Sequence, residues 1–298
     1  MISWILNKYK EKLNNYRVNL SLAPDLTTLE CNRKIGRMIY EKKPFFVGRI
    51  GWTEGNTLGR LVTEGSVPEK IKSTLHGVLG VFPVDDSELQ IFSDLYLAAL
   101  REIDVIGLMP AHYQGWLVKT NAPQALVADL HSIEPYFCEE PWSWGLRNST
   151  VLVVHPFADS ILKQYSSVRK ELFKNPQMLP EFDLKIIKAP QTLSGSASEY
   201  PSWSKTLGAL TQQVEQVNFD VAIIGCGAYG FPLGAAIKKM GKIALHLGGV
   251  SQLLFGIRGR RWMVEQPRYR AIITEAWCSP LESERPEEWK KIEGGCYW

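Results

Sequence analysis

The sequence predicts an α/β protein: a Rossmann-like, mostly parallel sheet with helices on both faces, forming a single large domain with a helical N-terminal extension. Three observations point there. Short apolar runs of strand length alternate with amphipathic stretches of helix length. The apolar runs are unbroken, as in strands covered on both faces. Residues 220–249, DVAIIGCGAYGFPLGAAIKKMGKIALHLGG, compress strand, glycine turn, helix and second strand into thirty residues.

The elements follow in order. Ile2, Ile5, Leu6, Tyr9 and Leu13 fall at helical spacing, so residues 2–15 read as an amphipathic helix with lysines opposite; docking on the body or a partner competes with peripheral membrane contact. Asp25 is placed to cap a helix over 26–41 with Leu29, Ile35, Met38 and Ile39 on its apolar face. Phe45–Ile50 reads as a strand and 52–63 as a helix. Asp86 is placed to cap a long helix carrying Leu89, Phe92, Leu95, Ala99 and Ile103. Val105–Met109 is a strand, 121–131 a helix, Thr150–Val154 a strand, 159–174 a helix and Leu184–Lys188 a strand. A helix over 203–216 then leads to the strand Val221–Ile224, a helix entered through Phe231-Pro232, and the strand Ile243–Leu247. Pro190–Pro201, rich in Ser and Gly, reads as a mobile loop or lobe boundary. The organisation expected is a helical extension over 1–34, the main domain over 35–262 and an extended tail over 263–298 with Trp289 and Trp298.

Composition narrows the classes. A chain of 298 residues with net charge +3 and no charge runs gives no nucleic-acid stripe and no polybasic membrane patch. Cys31, Cys138, Cys226, Cys278 and Cys296 are odd in number and never spaced as CxxC, which favours reduced thiols in the cytoplasm. The apolar run at Ile2–Leu6 is too short for a signal-peptide core or a membrane span. No Walker lysine, serine elbow, HxxxH or EF-hand spacing occurs.

The strand ends carry the chemistry, because ligands of open parallel sheets gather outside the carboxyl ends of the strands. Gly225, Gly227 and Gly230 stand at GxGxxG spacing, with Tyr229 inside the turn; glycines allow a tight turn and close approach to an anion at a helix start. A dinucleotide fold expects an acidic residue at the end of the next strand, and here His246-Leu247-Gly248-Gly249 stands there instead. The alternative is that these glycines serve helix-on-sheet packing alone. The first strand ends in Gly48-Arg49-Ile50-Gly51-Trp52-Thr53-Glu54. Arg49 suits a phosphate through its planar fork, or pairs with a structural carboxylate. Glu54 suits a base, a metal ligand or a sugar hydroxyl, or is a first-turn glutamate favoured by the helix dipole. His155 and His246 are placed to donate to phosphate or hydroxyl groups, or are satisfied buried histidines. Arg258, Arg260 and Arg261 follow the last strand; a basic loop here suits diphosphate or an anionic acceptor, with Arg258 and Arg260 the candidates, and a solvated basic face is the competing reading.

The stretches GRIGWTEGN, WGLRNSTVLVVHPF and IIGCGAYGFPLGAAIKKMGKIALHLGG resemble the GT-D-type glycosyltransferases over roughly 35–262. The resemblance implies a Rossmann-like sheet, a sugar-nucleotide donor, typically a UDP-sugar, and a DxE motif serving a divalent metal, Mn²⁺ or Mg²⁺. In this chain that motif falls on Trp52-Thr53-Glu54, so the glutamate is kept and Trp52 stands where the aspartate belongs. Tryptophan ligates no metal; the metal site is weakened, completed by other residues, or absent, in which case Arg49, His155, His246 and the basic loop neutralise the leaving diphosphate. The expected function is a glycosyltransferase moving a sugar to a glycan or glycolipid acceptor, in surface polysaccharide synthesis, in the cytoplasm or at the inner membrane face. Glu54 and His155 are the catalytic candidates; Gly48, Arg49, Gly51, Gly225, Gly227, Tyr229, Gly230, His246, Gly248 and Gly249 are the donor-binding ones. An NAD(P)-dependent oxidoreductase and a non-catalytic nucleotide-sugar-binding module are the competing functions.

Overall fold

The computed structural model describes residues 5–7, 9–11, 13, 22–192, 198–287, 289–292 and 294–298. Seven strands form one sheet in the order β3-β2-β1-β7-β6-β4-β5: β1 (Phe45–Gly48), β2 (Val105–Leu108), β3 (Leu126–Asp129), β4 (Thr150–His155), β5 (Asp183–Lys188), β6 (Val221–Ile224) and β7 (Ile243–His246). Every pairing is parallel. Helix α1 (Thr28–Tyr40) precedes β1; the parallel ladder requires a crossover between strands, and helices supply most of them: α2 (Trp52–Glu64), α3 (Glu69–Leu79), α4 (Asp86–Glu102), α5 (Gln114–Asn121), α6 (Ala158–Val168), α7 (Trp203–Glu215) and α8 (Gly230–Lys239).

Side chains alternate across each strand, so the sheet divides two cores. Phe46, Ile106, Leu152, Val154, Ala222, Ile224 and Ala244 face a cluster that takes in Leu58, Phe92, Tyr96, Trp203 and Phe231. Phe45, Val47, Val151, Val153, Val221, Ile223, Ile243 and Leu245 face the other, with Ile35, Trp142, Ile161, Phe255 and Trp277. Both faces are covered, which is why β1, β6 and β7 are buried at all four positions.

Several local expectations are corrected. The N-cap of α1 is Thr27, in a reciprocal capping box with Glu30; Asp25 instead pairs with the β3 backbone, its carboxylate accepting from Val127 N at 2.7 Å. Asp85, not Asp86, caps α4, accepting from Glu88 N at 2.9 Å. The helix expected at 121–131 is the end of α5 followed by β3, because Leu126–Asp129 pairs along β2 and tertiary pairing overrides a weak local preference. The helix expected at 159–174 ends at Val168, followed by a 3₁₀ turn, Arg169–Glu171. The helix α3 has no counterpart among the elements the sequence predicts.

Residues 263–298 fold back on the body through short turns: Trp277 and Ile292 are buried, Cys278 forms a parallel bridge with Ile257, and the Trp298 carbonyl accepts from Arg260 N at 3.2 Å. Of the predicted N-terminal helix, residues 5–7, 9–11 and 13 are helical, with Ile5, Leu6, Tyr9 and Leu13 all exposed; its remaining positions lie outside the described residues, as do 193–197 of the predicted mobile loop. Among the described residues no helix is long and apolar enough to cross a membrane.

Candidate functional site

Register places the site. Gly48 pairs with His246 and Ile224 with His246, while Val154 pairs with Ile224. The next residues on each strand, Arg49, Leu247, Gly225 and His155, therefore emerge side by side at the carboxyl edge. A cavity of about 350 Å³ opens there. It reaches from Met109 beyond β2, through Arg49, Gly51, Trp52 and Glu54 beyond β1, and Gly248 and Gly249 beyond β7, to Gly225 beyond β6 and His155 and Phe157 at β4. Five strands spaced by about 4.8 Å make this edge about 19 Å wide.

The glycines are required by contact. A Cβ on Gly225 would come within 2.6 Å of the His155 ring and 3.0 Å of the Gly248 carbonyl. Gly227 (φ 57°) and Gly248 (φ 65°) adopt left-handed backbone. The turn after β6 runs as a short 3₁₀ segment, Gly227–Tyr229, into α8.

Glu54 is nine-tenths buried and sits at the third position of α2, whose N-cap is Gly51. Its carboxylate folds back against Gly51, where an added Cβ would overlap Oε2 and lie 2.8 Å from Oε1. This is the placement expected of a first-turn acid at a helix N-terminus. It also leaves Glu54 on the cavity wall. Trp52, two residues earlier, is 54% exposed on the same wall.

Both histidines are neutral. Burial pushes His155 and His246 down to about 3, with the Arg49 guanidinium adding to the effect on His246. His155 Nδ1 accepts from Phe157 N at 3.0 Å, so its proton resides on Nε2. His155 is therefore a hydrogen-bond donor, and its one lone pair is already engaged. His246 Nδ1 is buried with no hydrogen-bond partner among the described residues, as is the Trp298 indole N–H; both side chains line the cavity.

Arg49 has the structural partner that its position after a buried strand suggests: Glu134, 3.7 Å from Nη1. It lines the cavity nonetheless. Gly48, Tyr229 and Gly230 stand behind the wall instead of on it. Tyr229 is buried, its hydroxyl 2.7 Å from Thr192 Oγ1, and Gly230 makes room for the His246 ring, where a Cβ would overlap Nδ1. Of the basic run, Arg261 lines the cavity and Arg258 and Arg260 do not. Ile257 turns inward at its bridge with Cys278, which leaves Arg258 exposed, and Arg260 pairs with Glu265 at 3.0 Å. Gln252, Tyr297 and Trp298 complete the wall. Tyr297 and Trp298 carry no local signal in the sequence; only the return of the C-terminal segment brings them here.

No family model and no curated protein matches the chain. A solved structure described as "The highly conserved domain of unknown function 1792 has a distinct glycosyltransferase fold" is similar to it, with a TM-score of 0.48 and 11% identity over 92% of this chain and 96% of that one.

Among the described residues the wall holds one side-chain carboxylate, Glu54, and no group of three or more His, Cys, Asp or Glu is placed to hold a metal ion. Hard divalent cations take several oxygen ligands. Among the described residues, a single side-chain carboxylate already folded onto its own helix start, beside an exposed tryptophan, does not fit a bound metal.

Proposed function

We propose that this chain is a glycosyltransferase that binds a nucleoside-diphosphate sugar, a UDP-sugar first among them, and passes the sugar to a hydroxyl of a glycan or glycolipid acceptor. The observation that carries this reading is the set of groups on the cleft wall. Two guanidiniums and two neutral imidazoles line it, together with Trp52, Met109, Phe157 and Trp298. Cations and hydrogen-bond donors beside flat, less polar side chains suit a diphosphate that carries a base and a sugar. The resemblance of GRIGWTEGN and the glycine turn to GT-D-type enzymes supports the same reading.

In the reaction, an acceptor hydroxyl forms the new bond to the anomeric carbon while the bond to the diphosphate oxygen breaks. Glu54 takes the hydroxyl proton, and the guanidiniums and the His155 N–H receive the charge developing on the leaving group.

Thermal shift with UDP, UDP-glucose, UDP-galactose, GDP-mannose and NAD, with and without Mn²⁺, tests the reading. Stabilisation by one or more nucleoside-diphosphate ligands is expected. Stabilisation by NAD alone would sink it.

A further inference from the structure

The cleft contains a second layer of organisation, behind its wall. Glu134 is 1% exposed. One carboxylate oxygen accepts from the Tyr269 hydroxyl at 2.6 Å; the other lies 3.3 Å from His131 Nδ1 and 3.7 Å from Arg49 Nη1. A buried carboxylate is costly unless a cation and donors satisfy it, so Glu134 draws the Arg49 guanidinium to its side of the wall. Gly248 leaves the room that the guanidinium occupies: an added Cβ there would lie 3.0 Å from Arg49 Nη2.

Arg261 is set in a parallel way. Its Nη1 donates to the Tyr297 hydroxyl at 2.9 Å, and its guanidinium carbon stands 4.7 Å from the centre of that ring. The ring rests on Gly249, where a Cβ would come within 3.1 Å of Cδ1. The adjacent pair Gly248-Gly249 thus seats one guanidinium assembly on each residue. The same cavity is lined by His246, 5% exposed, whose Nδ1 has no partner among the described residues.

We propose that Arg49 and Arg261 form a preset pair of fixed cations that holds the donor diphosphate without a divalent ion, with Glu134 and Tyr269 as positioning residues for Arg49. This rests on the nucleotide-sugar reading above. Guanidinium forks match phosphate oxygens in paired hydrogen bonds. Cations held before the substrate arrives need no reorganisation as charge develops on the leaving group. The arrangement supplies, from side chains, the charge that Glu54, the one side-chain carboxylate on the wall among the described residues, is poorly suited to recruit as a metal.

Titration calorimetry on the full chain decides it, using UDP and GDP against uridine and guanosine, in EDTA and again with Mn²⁺. The favoured diphosphate is expected to bind equally, within about twofold, in both buffers. Loss of a charge-assisted contact in Arg49→Met or Arg261→Met is expected to weaken it about tenfold or more while changing the parent nucleoside by less than about threefold. Glu134→Gln and Tyr269→Phe are expected to act in the same direction, about threefold or more, on the diphosphate alone. Should Glu134→Gln fail to fold, Tyr269→Phe, which keeps the ring, carries that arm. Binding of the diphosphate only with Mn²⁺, or unchanged affinity in both arginine variants, overturns the clamp and leaves the nucleotide-sugar reading standing. Equal losses for diphosphate and nucleoside in the positioning variants overturn the role of Glu134 and Tyr269, and binding of no nucleotide at all overturns both proposals.

Discussion

Glu54 owes its position to the residue three before it. Gly51 has no Cβ, and the Glu54 carboxylate occupies the space one would need, so helix start and candidate base are a single construction. Glu54→Gln keeps the shape and removes the proton acceptor; transfer is expected to fall by about 10²- to 10⁴-fold, measured as release of nucleoside diphosphate, with the circular-dichroism spectrum unchanged. Gly51→Ala is expected to displace the carboxylate and lower turnover as well, without touching the acid itself. Undiminished turnover in Glu54→Gln would remove that residue from the reaction. In the sequence Glu54 was legible as a first-turn glutamate, because its place just past the first strand and inside the next helix is a local property. The pairing of Arg49 with Glu134 was not, since nothing local links two residues on separate elements.

Two helices borrow their N-terminal partners from distant segments. Glu284 accepts from Asp159 N at 2.7 Å, from Ser160 N at 3.2 Å and from the Ser160 hydroxyl at the start of α6. Glu88 of α4 accepts from Ser204 N at 2.6 Å and from its hydroxyl at 3.1 Å at the start of α7. Free N–H groups at a helix start are satisfied by such carboxylates, with the dipole adding to the attraction. Glu284 is buried and lies in the segment that brings Tyr297 and Trp298 to the cleft. Glu284→Ala is therefore expected to cost about 1–3 kcal/mol in urea denaturation and to weaken nucleotide binding by loosening that segment. Full nucleotide affinity in the destabilised variant would separate the C-terminal anchor from the site. β3 teaches the same lesson: Leu126–Asp129 is a strand because β2 offers a parallel edge, and a four-residue apolar run does not announce its partner.

Across the whole molecule the two buried histidines couple stability to pH. Their folded values lie near 3, below the ordinary 6.5, so the unfolded chain binds protons first as pH falls. The stability is fully present above about 6.5 and is lost progressively towards 3. Between pH 7 and 5 each histidine is expected to remove about 2 kcal/mol, read from urea midpoints. His155→Asn is expected to flatten that slope by roughly half its histidine part, and an unchanged slope would show that His155 is not the neutral group described.

The sequence by itself determined the sheet class, the apolar strands and the glycine turn, because unbroken apolar runs and glycine spacing are properties of neighbouring residues and express the local rules of strand burial and turn geometry. It also named Arg49, Glu54, His155, Gly225, His246, Gly248 and Gly249, which the strand register gathers at one cavity, since strand ends are where a parallel sheet exposes its turns. Only the tertiary structure decided that Arg261 and not Arg258 or Arg260 faces the cleft, and that Tyr297, Trp298, Glu134 and Tyr269 belong to its construction. Those choices depend on which way a returning segment packs and on which buried charge must find a partner, and both are settled by contacts between residues far apart in the chain.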